Sequence, residues 1–137
     1  AVISVVGTLT TKHLFLSIGF TNIQISTPEE HDRIIAYTSQ LAHVVSNAYV
    51  KSPQAQVHNG FSAGSYKDLT RVAKLNADMW TELFLDNVDN LTEELDGLIE
   101  NLQQYSRALH EKDAKTLHAL LKAGSDRKEK IDGQYRN

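Results

Sequence analysis

Phe84, Val88, Leu91, Leu95, Leu98, Leu102, Tyr105 and Leu109 recur at alternating spacings of four and three. That rhythm holds one apolar stripe on a single side of a helix of some seven turns. An exposed stripe of this length is unfavourable in water, so it demands either a core beneath it or a second helix against it. The pattern predicts one long helix from about Ala77, capped by Asn76, with a seam suited to pairing.

Around that helix the chain reads as two kinds of structure. Ala1–Val6 is mostly β-branched and stops at Gly7, and Leu14, Phe15, Leu16 and Ile18 lead to Gly19 in a helix-stop position. Phe20–Ser26 alternates, with Ile23 and Ile25 on one side and Asn22 and Gln24 on the other, as a half-buried strand does. Residues 1–26 therefore read as α/β. At Thr27 the character changes. Thr27 can cap a helix, Pro28 suits its first position, and Glu30 can return the bond to complete a capping box. The helix it opens is expected to reach Val50, since no breaker precedes Lys51-Ser52-Pro53. On a wheel of 100° per residue, Ile34, Tyr37, Leu41, Val44, Val45 and Ala48 form the packing face, and Asp32, Ser39, His43 and Ser46 a polar stripe. A loop from Ser52 to Ser65 follows, then a short helix over Tyr66–Leu75. Asp113 is placed to cap a last helix that stops at Gly124, ahead of a charged, frayed tail.

Several functions are disfavoured. With 14 Lys+Arg against 17 Asp+Glu the formal charge is −3, too acidic to drive binding to nucleic acid or an anionic membrane. The chain has no cysteine, hence no disulfide framework and no thiolate metal site or nucleophile. A cytoplasmic location fits. The apolar run at the start is too short to span a bilayer. The six histidines make no H-E-x-x-H pattern, and the seven glycines make no phosphate-cradling loop. No metal site and no tightly held dinucleotide are expected. At 137 residues, one folding unit is the expected size.

Three places could carry chemistry. His43 follows Ser39 by one turn on the polar stripe, where an imidazole can hydrogen-bond a carboxylate or carbonyl; by spacing alone a satisfied structural histidine is the commoner outcome. Lys67, Asp68 and Arg71 can share a helix face, either as a solvated ion-pair surface or as the setting for a guanidinium that clamps a carboxylate. Trp80 can wall a pocket or merely pack.

Two ordered blocks bear on these alternatives. The run Thr27-Pro28-Glu29-Glu30-His31-Asp32-Arg33, continuing Ala36-Tyr37-Thr38-Ser39-Gln40-Leu41-Ala42-His43, resembles the first helix of the C-terminal domain of prephenate dehydrogenases. Gly64-Ser65-Tyr66-Lys67-Asp68-Leu69-Thr70-Arg71-Val72-Ala73, then Asn76, Met79-Trp80 and Leu83–Asn87, is similar to that family's next segment in the same order. The resemblance covers roughly residues 13–125. It implies a mainly α fold, a helical dimerisation domain like the C-terminal domain of 6-phosphogluconate dehydrogenase over residues 27–137. Residues 1–26 would be the remnant helix and strand of a Rossmann-type nucleotide-binding domain.

The resemblance further implies oxidative decarboxylation of prephenate to 4-hydroxyphenylpyruvate with NAD or NADP, on the route to tyrosine, by a homodimer joined through this domain. Carried onto matching positions, His43 contacts substrate and Arg71 binds a prephenate carboxylate. Ser39 and Gln40 lie in the same pocket, Gly64 and Trp80 shape its wall, and Lys67 and Asp68 belong to an ionic network near the subunit boundary. The sequence departs from the family at Gln40, where some relatives carry a second histidine, and at Ala42, where proline is common. The family's catalytic histidine and glycine-rich loop fall in the other domain, so no catalytic residue is assigned here and this segment by itself is expected to be inactive. Arogenate dehydrogenases share the pattern. A free-standing helical interaction protein, with His43 and Arg71 merely structural, is the alternative of a different class.

Overall fold

The computed structural model describes residues 2–5, 9–58, 60–61 and 63–134. The ends of the expected first strand, Ala1 and Val6, and its stop at Gly7 lie outside them. The remaining order is β1 (Val2–Val5), α1 (Leu9–Ser17), β2 (Asn22–Ile25), α2 (Pro28–Ile35), a π-helical turn (Ala36–Gln40), α3 (Leu41–Tyr49), a 3₁₀ turn (Pro53–Gln56), α4 (Gly64–Thr70), α5 (Ala77–Asp86), α6 (Val88–His110) and α7 (Ala114–Gln134). The two strands pair in parallel, Val2 opposite Asn22 through Val5 opposite Ile25. A parallel pair needs a crossover, and α1 supplies it. Gly19 ends that crossover at φ +98°. Phe20 N–H donates to the Phe15 carbonyl at 3.1 Å and Gly19 N–H to that of Leu16 at 3.2 Å, while the Phe15 and Phe20 rings meet edge-on at 5.5 Å. The helix carbonyls are thus satisfied and an apolar contact locks the turn, which is why glycine stands here.

The capping box expected at Thr27 is present in both halves. Glu30 N–H donates to Thr27 Oγ1 at 3.2 Å, and Thr27 N–H to Glu30 Oε2 at 3.0 Å. From there to Tyr49 the backbone stays helical, as expected to about Val50, but it is not uniform. Five residues adopt π geometry, and Leu41 N–H bonds back to Ala36. Thr38 Oγ1 donates to the Ile34 carbonyl at 2.8 Å, drawing that carbonyl away from the regular ladder. A π turn inserts about one residue into the helical phase, so the wheel drawn from sequence slips. Ile34 and Tyr37, expected to pack, are 54% and 60% exposed; Leu41 is buried as expected, but Ala36, Gln40 and Ser46, which lie off the expected packing face, are buried with it. The stripe containing Ser46 therefore turns partly inward, and that correction places the site described below.

The long helix expected from Ala77 is broken at Asn87, whose φ of −121° leaves the helical region. Asn87 Nδ2 donates to the Asp32 carbonyl and to Gln40 Oε1, both at 2.8 Å, and Gln40 Nε2 donates to the Leu83 carbonyl at 2.9 Å. Bonds to partners 47 and 55 residues earlier outweigh the local preference for a continuous helix. Asn76 caps α5 as expected, accepting from Met79 N–H at 3.1 Å. The helix expected over Tyr66–Leu75 is shorter, ending at Thr70.

The chain divides into two compact units, residues 1–94 and 95–137, inside α6. The second is a helical hairpin. Asp113 N–H donates to the Ala108 carbonyl and Lys112 N–H to that of Leu109, with Lys112 at φ +53° in the place glycine usually takes. Tyr105 Oη donates to the Leu120 carbonyl at 3.2 Å, tying α6 to α7. Nor does α7 stop at Gly124: it runs to Gln134, its far half bridged by the one-turn pairs Lys122–Asp126 and Lys128–Asp132. The expected frayed tail is therefore helical through Gln134. Among the described residues no helix is long and apolar enough to cross a membrane.

Asp113 caps α7 as anticipated, its carboxylate accepting from the Thr116 hydroxyl at 2.6 Å and from the Thr116 and Lys115 amides at 3.0 Å. The Thr116 hydroxyl foremost, then these amides, hold its carboxyl below the ordinary carboxylate range. The folded value lies below the unfolded one, so the ionised cap's contribution is complete above the ordinary range and is lost as pH falls through the lowered value. Thermal unfolding followed by circular dichroism should show Asp113→Ala less stable than wild type at neutral pH, with the gap narrowing as pH falls below the ordinary carboxylate range. A gap that does not change with pH would contradict this.

Candidate functional site

The capping box starts α2, the π turn resets its phase, and α3 then carries His43 towards α5, which Asn76 starts just before Trp80. The His43 and Trp80 rings stack at 3.8 Å between centroids, 28° from parallel, and Trp80 leans on Phe84 at 5.3 Å. His43 Nδ1 lies 2.9 Å from the Ser39 carbonyl. Since a carbonyl can only accept, Nδ1 carries the hydrogen, and Nε2 of the neutral ring is left as an acceptor. Asn47, one turn further, donates through Nδ2 to the Ala73 carbonyl at 3.1 Å and so ties α3 to the segment behind α4.

Between α3 and the start of α5 lies an open cavity of about 240 Å³ lined by His43, Asn47, Lys51, Leu75, Trp80 and Phe84, among others. One wall is apolar and aromatic, the other a line of polar groups. Such a surface suits a planar or near-planar ring that carries polar substituents.

Of the eight residues singled out in the sequence, His43 and Trp80 meet at this cavity, and Ser39 stands one turn behind as the residue that orients the imidazole. Gln40 is 5% exposed, and both ends of its amide are bonded to Leu83 and Asn87, so it joins helices. Gly64 opens α4, Lys67 and Asp68 are exposed upon it, and Arg71 is exposed at its C-cap; none of the four lines the cavity. Among the described residues no ion pair joins Lys67, Asp68 and Arg71. Asn47 and Lys51 were not singled out, although their places four and eight residues after His43 put them on its face of the helix. A second cavity of about 400 Å³ is framed by Tyr49, His58, Phe61 and Tyr66, with the His58 and Tyr66 rings 4.3 Å apart. No three His, Asp or Glu side chains among the described residues are grouped to hold a metal ion.

Comparison with known proteins bears on what this arrangement is for. The profile described as prephenate dehydrogenase, dimerization domain, matches residues 27–123, beginning at the capping threonine. The chain is 28% identical over 109 residues to a prephenate dehydrogenase of Bacillus subtilis (strain 168), covering 73% of this chain and 28% of that protein. It is 32% identical over 98 residues to a cyclohexadienyl dehydrogenase of Zymomonas mobilis, covering 66% and 33%.

Among solved structures, the prephenate dehydrogenase of A. aeolicus in complex with hydroxyphenyl propionate and NAD+ superposes with a TM-score of 0.73 at 22% identity, covering 95% of this chain and 50% of that one. The arogenate dehydrogenase of Synechocystis gives 0.72 at 21%, covering 89% and 46%. These likenesses establish the fold. The chain spans about a third of the curated relatives and about half of the solved chains. With a family match over 97 residues that contains α2–α5 and the His43–Trp80 pair, the chain belongs to the prephenate dehydrogenase dimerization-domain family.

Proposed function

We propose that this chain is the substrate-binding and dimerisation part of a cytoplasmic dehydrogenase that oxidatively decarboxylates prephenate to 4-hydroxyphenylpyruvate with NAD or NADP. The observation that carries the reading is the His43–Trp80 stack on the wall of a cavity with one aromatic and one polar side, inside the segment that matches the family. The solved relative that holds hydroxyphenyl propionate and NAD+ supports a ring bearing a carboxylate as the ligand. His43 would offer Nε2 to a polar substituent of the ring, with Ser39 fixing the imidazole, and Trp80 would limit how the ring lies.

The spacing of the seven glycines matches no phosphate-cradling loop motif, so the nicotinamide nucleotide is assigned to another domain of the enzyme. Residues 1–26 are then the end of the domain that holds the nucleotide, and the β1–α1–β2 parallel unit is of the right kind for that. Arogenate is the second reading, favoured by the likeness to the Synechocystis enzyme.

Arg71 is assigned to a substrate carboxylate by its place in the family pattern. Arg71→Ala in the complete enzyme is expected to raise KM for prephenate about tenfold or more, with melting temperature unchanged because the side chain is exposed. Steady-state kinetics with a thermal melt checks this, and an unaltered KM would remove Arg71 from the site.

A further inference from the structure

We infer that Asn47 is a positioning residue for Arg71: it pins the backbone that follows Arg71 to α3, a role that rests on the assignment of Arg71 to a substrate carboxylate. Arg71 is the C-cap of α4, and from there to Asn76, the cap of α5, no regular helix or strand holds the chain. Such a connector keeps its place through individual bonds. Ala73, two residues after Arg71, makes two of them. Its N–H donates to the Thr70 carbonyl at 3.0 Å, closing the turn that contains Arg71, and its carbonyl accepts from Asn47 Nδ2 at 3.1 Å. Among the described residues, no other hydrogen bond joins α3 to residues 64–76.

The two ends of the connector are held differently. Leu75 lines the cavity beside Asn47 and is followed within two residues by α5, which fixes that end. The end at Arg71 depends on the bond from Asn47. His43, one turn before Asn47 on α3, has supports of its own in the Ser39 carbonyl and the Trp80 ring. Removing the Asn47 amide therefore leaves the imidazole and the aromatic wall in place and frees the backbone that carries Arg71. A guanidinium pairs with a carboxylate through two parallel N–H···O bonds, a geometry that tolerates little displacement. Freedom at the base of Arg71 thus costs affinity for an anionic ligand and spares a neutral one.

The test is a double-mutant cycle in the complete enzyme: wild type, Asn47→Leu, Arg71→Gln and the pair, with Asn47→Ser as a second, smaller replacement and circular dichroism to verify folding. KM and kcat for prephenate are measured, together with inhibition by 3-(4-hydroxyphenyl)propionate and by its neutral amide. Asn47→Leu should raise KM about fivefold with kcat within about twofold, weaken the carboxylate inhibitor by a similar factor and leave the amide unchanged. Added to Arg71→Gln, it should change KM by less than about twofold, because the two residues act as one unit. An effect that persists in full beside Arg71→Gln, or that falls equally on the amide, means that Asn47 acts on the ligand directly or on the fold at large, and overturns the positioning role. So does an unchanged KM in both Asn47 variants, or a loss of folding in both. If Arg71→Gln by itself leaves KM unchanged, the assignment of Arg71 fails and this role with it.

Discussion

Gln40→Ala should lower the unfolding free energy by about 3 kcal/mol, the sum of a buried acceptor left without its donor and a cavity where the side chain was. Gln40 is 5% exposed, and its amide is the one group that bonds both the Leu83 carbonyl of α5 and Asn87 at the break before α6. Without it, the Leu83 carbonyl loses its side-chain donor, and Asn87 Nδ2 keeps only the Asp32 carbonyl. A histidine at position 40, the residue some relatives carry, should fall between wild type and alanine because it can satisfy one of the two partners. Urea unfolding measures the loss. A cost below about 1 kcal/mol would mean that the network does not hold the helices. Were ligand binding abolished in a variant of normal stability, Gln40 would instead be a ligand-contacting residue.

The second large effect concerns the seam. On α6, Leu102 and Leu109 are 57% and 60% exposed, with Ile99 beside them. The family match names a dimerization domain, and a second copy would cover this stripe. Leu102→Asp with Leu109→Asp should leave the hairpin folded, since both positions already face water, and weaken self-association by about a hundredfold or more, because a dimer would have to bury unpaired carboxylates. Light scattering should show wild type at twice the chain mass and the double variant at the single mass. A dimer that survives both aspartates would move the interface elsewhere.

How much of this was legible before the structure differs by residue. Helix starts were, because a cap is local: Thr27 with Glu30, Asn76 and Asp113 all bond within three residues. The stop at Gly19 was local in the same sense. The break at Asn87 and the π turn at Ala36–Gln40 were not, since each depends on partners that only the fold brings near or on a competing bond inside the helix. Gly124 shows the reverse error, a residue type that often ends helices standing inside one whose neighbours are good helix formers. At the site, His43 and Trp80 were visible as candidates, but not their stacking across 37 positions of sequence. Lys51 could have been found from the spacing of four that begins at His43.

The most direct test of the central claim is the rate of nicotinamide reduction by the complete enzyme carrying this segment, supplied with prephenate and NAD or NADP, in wild type and Trp80→Ala. Prephenate-dependent reduction with 4-hydroxyphenylpyruvate as product, falling in kcat/KM by about a hundredfold when the Trp80 wall is removed, is the predicted result. No prephenate-dependent reduction, or a rate indifferent to the loss of Trp80, would contradict it.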